Sequence, residues 1–154
     1  MLNDKVKAKG VVHFVLTDEH GNVKEQHEQN LVVNTGLAYI ASRMFGTAKS
    51  VMSHMAVGTG TTAAAAADSA LQTESARVAL TSSTIVTTNA TYDAIQYVAT
   101  FGAGTPNGGA TIAEAGIFNS STANAGTMLC RVRFNEVNKA NSDVIVITWN
   151  VTIQ

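Results

Sequence analysis

Cysteine is nearly missing. Cys130 stands alone in 154 residues, which excludes an internal disulfide framework and a metal site built from clustered thiolates. An isolated thiol of this kind reads as a small buried hydrophobe. Proline also occurs once, Trp149 is the single tryptophan, and charged residues make up only 14% of the chain. The formal net charge of -1 supplies no global field for gripping nucleic acid or an anionic membrane, so neither is expected as a partner. No run of about 18 apolar residues is present to read as a membrane helix. The polar residues His13, Asp18 and Glu19 interrupt the N-terminal apolar stretch too early for a secretory leader, so synthesis in the cytoplasm is expected.

What is abundant is apolar and small. Hydrophobic residues form 45% of the chain, and a sequence of this length buries about two-thirds of its extended-chain surface without help from a metal or disulfide. One β-rich domain over residues 1–154 is expected, with residues 1–10 as a partner-binding arm.

Period-two alternation dominates. Val12, Phe14 and Leu16 share one strand face, and His20-Gly21-Asn22 offers a hairpin turn. The polar return over residues 25–29 reads as an edge or solvent-facing strand. Further strands are predicted over residues 53–57, 77–80, 84–88 (with a connection at Asn89 and Ala90), 95–101, 112–118, 128–134 and 144–153. In the last of these, Ile145, Ile147, Trp149, Val151 and Ile153 form the core-facing row, which places Trp149 inside. In the preceding strand, Met128, Cys130, Val132 and Phe134 face the core, opposite Leu129, Arg131, Arg133 and Asn135.

One helix interrupts the strands. Leu37, Ile40, Ala41 and Met44 recur at helical spacing after a cap at Asn34 or Thr35, and their stripe is expected to pack on a sheet. Residues 59–67, rich in Thr, Gly and Ala, and residues 103–109, containing Pro106, Asn107, Gly108 and Gly109, read as loops. The fold class is therefore mainly β: an antiparallel β-sandwich or partly closed jelly-roll-like barrel, with one short α-helix near residues 36–45. Repeated crossover helices, which a doubly wound sheet needs, are missing.

No constellation for chemistry emerges. His13, His20, His27 and His54 are scattered without metal-ligand spacing, and no metal or other cofactor is expected. The carboxylates lack a pattern that pairs two across a cleft, although Glu114, set among small residues, suits a backbone donor or an arginine. No Gly-x-Ser-x-Gly elbow occurs. The segment Val57-Gly58-Thr59-Gly60-Thr61-Thr62 lacks the lysine and context of a phosphate loop, and Gly102-Ala103-Gly104 lacks a complete dinucleotide fingerprint. The chain is not expected to be an enzyme. Its candidate functional residues are a partner interface: Lys5, Lys7 and Lys9, which share strand parity, Pro106 and Asn107 in the loop, and Arg131 with Arg133.

Several segments together carry a likeness to known proteins. They are Asn30-Leu31-Val32-Val33-Asn34-Thr35-Gly36 before the helix, His54-Met55-Ala56-Val57-Gly58-Thr59-Gly60-Thr61, and Ile112-Ala113-Glu114-Ala115-Gly116-Ile117-Phe118-Asn119. Gly126-Thr127-Met128-Leu129, Phe134 and the strand through Trp149 complete the set. In these the chain resembles small virion structural proteins of tailed bacteriophages. The resemblance implies a virion component made in the host bacterial cytoplasm, with no catalytic residues. It implies most directly a capsid decoration or cement protein, whose partners are the major capsid protein and neighbouring virion subunits and whose copies form a homo-oligomer in the particle. The alternative is a tail-tip, baseplate or fibre-associated protein, which could carry a host-glycan site.

Overall fold

The computed structural model describes residues 7–46, 49–88 and 93–154. Lys5, most of the arm proposed for residues 1–10 and the connection at Asn89 and Ala90 lie outside the described residues. The elements are β1 (Ala8–Thr17), β2 (Val23–Val32), α1 (Asn34–Met44), β3 (His54–Gly58), β4 (Glu74–Ala79), β5 (Ser82–Val86), β6 (Ala94–Phe101), β7 (Ala110–Phe118), β8 (Met128–Lys139) and β9 (Val144–Ile153). Residues 8–10 thus belong to a sheet strand paired with β9 and are no separate arm.

All strand pairs are antiparallel, in the order β4-β3-β7-β8-β2-β1-β9-β6-β5. The sheet curls into a half-barrel, within the sandwich and partly closed barrel class expected from the alternation. The curl is centred on β2. Its residues from Val23 to Asn30 pair with β1, whereas only Leu31 and Val32 pair with β8, opposite Arg131 and Cys130. Beyond that point the Gln26 amide takes over: its Nε2 donates to the Asn135 carbonyl at 2.9 Å, and its Oε1 accepts the Asn135 N–H at 3.0 Å. β2 is therefore a corner strand rather than an edge, and of the two expectations its largely exposed residues match the solvent-facing one, in the stretch where the two halves part. The true edges are β4 and β5.

The curl brings the inner rows of β1, β6 and β9 against those of β3, β7 and β8. Phe14, Phe101, Ile147 and Trp149 share one core with Met55, Ile117, Val132 and Phe134. The Phe14 and Phe134 rings meet across it at 4.9 Å between centroids. Alternation predicted most of these positions, and Cys130 and Trp149 are fully buried as expected.

The row in β8 needs one correction. Register shifts where Ile117 pairs with Cys130 and Phe118 with Met128, leaving Leu129 as an extra residue on β8. The bulge puts Leu129 into the main core and sends Met128 to a second cluster with Val33, Ala56, Leu71 and Phe118.

The helix departs further from expectation. Its N-cap is Val33, and no side chain caps it. The Thr35 hydroxyl instead donates to the Met128 carbonyl at 2.8 Å, and the Asn34 N–H donates to the Ala66 carbonyl at 2.8 Å. The buried helix residues are Gly36 and Tyr39, not the predicted stripe. The backbone explains why: a Cβ at Gly36 would lie 2.0 Å from the Leu129 carbonyl oxygen, so only glycine lets the helix sit this close to β8. With Gly36 inward, Leu37, Ala41 and Met44 turn outward, and Ile40 alone of the stripe is half-buried against the core.

Candidate functional site

The sharpest chemistry lies beneath the loop of residues 59–73. Among those 15 residues only Leu71 is a large apolar group, so hydrophobic burial contributes little to ordering the segment. A buried ion pair supplies the rest. Glu114 projects from β7 to the outer side of the sheet with 0% exposure, and Arg131 of β8 is 2% exposed. Glu114 Oε1 accepts the N–H groups of Gly60 at 3.1 Å and Thr73 at 2.8 Å. Its Oε2 accepts the Gln72 N–H at 3.0 Å and Arg131 Nε at 2.9 Å. Arg131 continues outward, its Nη1 2.7 Å from Asp68 Oδ2 and its Nη2 donating to the Thr62 carbonyl at 3.0 Å.

Both charged groups are thus surrounded by partners, as deep burial of an ion pair requires. The arrangement explains the glycines of Gly58-Thr59-Gly60 as well. A Cβ at Gly58 would stand 2.3 Å from the Thr73 carbonyl oxygen and 2.6 Å from Glu114 Oε1, and one at Gly60 2.4 Å from Glu114 Oε1, so the two positions admit the returning loop backbone and the carboxylate.

A second clasp holds the loop between β7 and β8. Arg77 and Glu74 form two parallel N–H···O bonds at 2.8 Å. Arg77 Nη1 also donates to the carbonyls of Ser120 and Ala125, each at 2.9 Å, and the guanidinium carbon lies 3.8 Å from the centre of the Phe118 ring. On the inner side, burial holds the Lys139 ammonium below lysine's ordinary value against the opposing pull of Asp143, while its Nζ donates to the Gly102 carbonyl at 3.1 Å. Burial likewise pushes the Cys130 thiol far above its ordinary range, which makes it a poor nucleophile.

These placements revise the expected interface. Arg131 is withdrawn from the surface, because Glu114 and Asp68 occupy its guanidinium. Pro106 is buried too, leaving Asn107 exposed at the loop. Lys7, Lys9 and Arg133 are exposed. They do not converge: Lys9 has the outward parity of β1 and Arg133 that of β8, on opposite sides of the shared core. Glu114 meets both backbone donors and an arginine, as its surroundings suggested. The Glu74–Arg77 pair and the pairing of Asp68 with Arg131 carry no clear mark in the sequence. The only local signal was the opposite charges of Glu74 and Arg77 three residues apart, a spacing usually associated with helices.

Two outward features complete the map. Met44 is 86% exposed and Phe45 89%, and Val51 is exposed as well. Together with Ile85 of edge strand β5, Met44 and Val51 border a mainly apolar groove of about 670 Å³, floored by Tyr39, Tyr97 and Leu129. On the outer face of the hairpin, His13 and His27, read as scattered, are cross-strand partners. Their rings stack at 4.3 Å with planes 5° apart, and Glu25 Oε2 lies 3.4 Å from His13 Nε2. No helix among the described residues is long and apolar enough to cross a membrane. Comparison with protein-family models, curated proteins and solved structures finds no match to this chain.

Proposed function

We propose that the protein is a non-enzymatic structural component of a phage virion. In this reading it is a capsid decoration or cement protein, whose repeated copies bind neighbouring major-capsid subunits and reinforce the shell. The observation that carries the contact role is the outward helix stripe. Leu37, Ala41 and Met44 are exposed along α1, Phe45 follows at its C-terminal end, and Met44 borders the same groove as Val51 and Ile85. Apolar groups gathered in one place, rather than scattered singly, are what a protein-binding face requires.

The buried charges support the same reading from the inside. Glu114, Arg131, Glu74 and Arg77 are engaged with one another and with backbone groups, where they hold loops in shape. A rigid presentation of contact surface reduces the ordering cost of binding. The resemblance to small phage virion proteins supplies the particle, and the major capsid lattice supplies a partner that is repeated and broad.

The deciding experiment is a reconstruction of the intact particle. Copies over the whole shell, with α1 against capsid subunits, are expected. Density confined to one vertex or to the tail would replace this assignment with the tail-tip, baseplate or fibre-associated one. The paired substitution Met44→Ser with Phe45→Ser tests the face directly. Both side chains are solvent-exposed, so stability should stay within about 0.5 kcal/mol while binding to purified capsids falls at least tenfold.

A further inference from the structure

We infer that His13, Glu25 and His27 form a binding site for a divalent transition-metal ion of the zinc type, on the outer face of the first hairpin. The site follows from strand register. Glu25 and His27 lie two residues apart on β2 and therefore face the same side of the sheet. His13 of β1 stands directly opposite His27. One ligand atom from each residue lies within 4.8 Å of the other two.

The chemistry matches the spacing. Two imidazoles and one carboxylate form a recurring donor set for zinc, with metal–ligand bonds of about 2.0–2.2 Å. Tetrahedral ligands on such bonds stand about 3.3 Å apart. The 3.4 Å between His13 Nε2 and Glu25 Oε2 already meets that value. The widest separation has to close by no more than about 1.5 Å. Rotation about the side-chain torsions of exposed Glu25 and His27 provides that movement, and turning an imidazole about χ2, a soft torsion, opens the parallel stack.

A bare ring stack is the competing account of the His13–His27 pair. With the His13–Glu25 hydrogen bond it accounts for each contact singly, whereas a shared ion accounts for all three donors converging on one side of the hairpin. Solvent reaches the site, since the His13 and Glu25 side chains are 37% and 55% exposed. Three protein ligands leave a further coordination position to water or to a group from another molecule.

The test titrates the full chain with Zn²⁺ by calorimetry and follows the histidine ring signals by NMR. One equivalent should bind, with the His13 and His27 signals moving together and those of His20 and His54 unmoved. His27→Ala and Glu25→Gln alter exposed residues and should retain the fold, checked by circular dichroism, while each raises the Kd at least tenfold. His20→Ala, at the exposed turn, should leave the Kd unchanged. Failure to bind would overturn the assignment. So would binding that survives His27→Ala, or that weakens equally whichever histidine is removed. The site stands independently of the virion reading, and neither result depends on where the protein resides in a particle.

Discussion

Replacing Glu114 by Gln preserves the volume of the side chain but turns one acceptor oxygen into an NH₂ donor. In one amide orientation the new donor faces the N–H groups of Gly60 and Thr73. In the other it faces the Gln72 N–H and Arg131 Nε. Either way two hydrogen bonds are lost, and Arg131 stays buried with Asp68 as its remaining carboxylate. Hydrogen bonds to charged groups are worth about 1.5–3 kcal/mol each, and breaking a buried ion pair on one side typically costs 3–5 kcal/mol. We expect a loss of about 3–5 kcal/mol, which for a domain of this size lowers Tm by roughly 6–20 °C. Urea unfolding read by Trp149 fluorescence measures it, since that lone tryptophan is fully buried. Protease cutting within residues 59–73 should rise in parallel. Glu114→Met with Arg131→Met should cost less than the sum of the single changes, because neither then strands a charge. A loss for Glu114→Gln below about 1 kcal/mol, with the loop still resistant, would refute the clasp.

Two further outcomes follow from the interior. The Cys130 thiol has its folded pKa raised by burial, so the stability tied to its protonation is complete below the unfolded thiol value near 8.5 and drains away above it. Relative to Cys130→Ala, the wild-type chain should therefore lose roughly 1 kcal/mol between pH 8.5 and 9.5, and parallel stability curves for the two would contradict this. Gly60→Ala should destabilise by about 1–3 kcal/mol, since its new methyl would press on Glu114 Oε1 and Gln72 Cβ. Gly102→Ala, where a Cβ meets nothing within 4 Å, is the control for adding a methyl group in open space.

The legible part of the fold was the part written in alternation. Ile145, Ile147, Trp149 and Val151 could be assigned to one face because a strand has no other way to arrange them, and the core contains all four. Parity failed where a bulge inserted Leu129, since an extra residue in a ladder leaves no mark in a pattern of apolar residues. The helix stripe was recognised but assigned to the wrong side. Periodicity shows which residues share a face, not which face meets the sheet, and a glycine contact at Leu129 decided that. Arg131 read as solvated because β-strand parity puts it opposite the core. What buries it is a loop whose composition gives no sign of packing there. His13 and His27, 14 positions apart in the chain, became neighbours only once the hairpin register was known.

The interior and the proposed contact face are mechanically connected. Glu114 holds the ends of the loop at Gly60, Gln72 and Thr73, and Arg131 holds its middle through Asp68. From that same loop the Ala66 carbonyl accepts the N–H of Asn34, the first residue of α1. The helix rests also on Met128 through Thr35, on Leu129 through Gly36, and on the main core through Tyr39 and Ile40. Loosening the clasp should therefore free one of the supports that orient Leu37, Met44 and Phe45. Glu114→Gln is expected to weaken capsid association, although Glu114 itself has no exposed surface. Arg133→Glu changes an exposed charge and should leave stability within about 0.5 kcal/mol. If Glu114→Gln opens the loop to protease while association is unchanged, then either α1 keeps its orientation without the loop or the partner binds elsewhere. Met44→Ser with Phe45→Ser separates those outcomes, because only the second leaves the association of that variant intact.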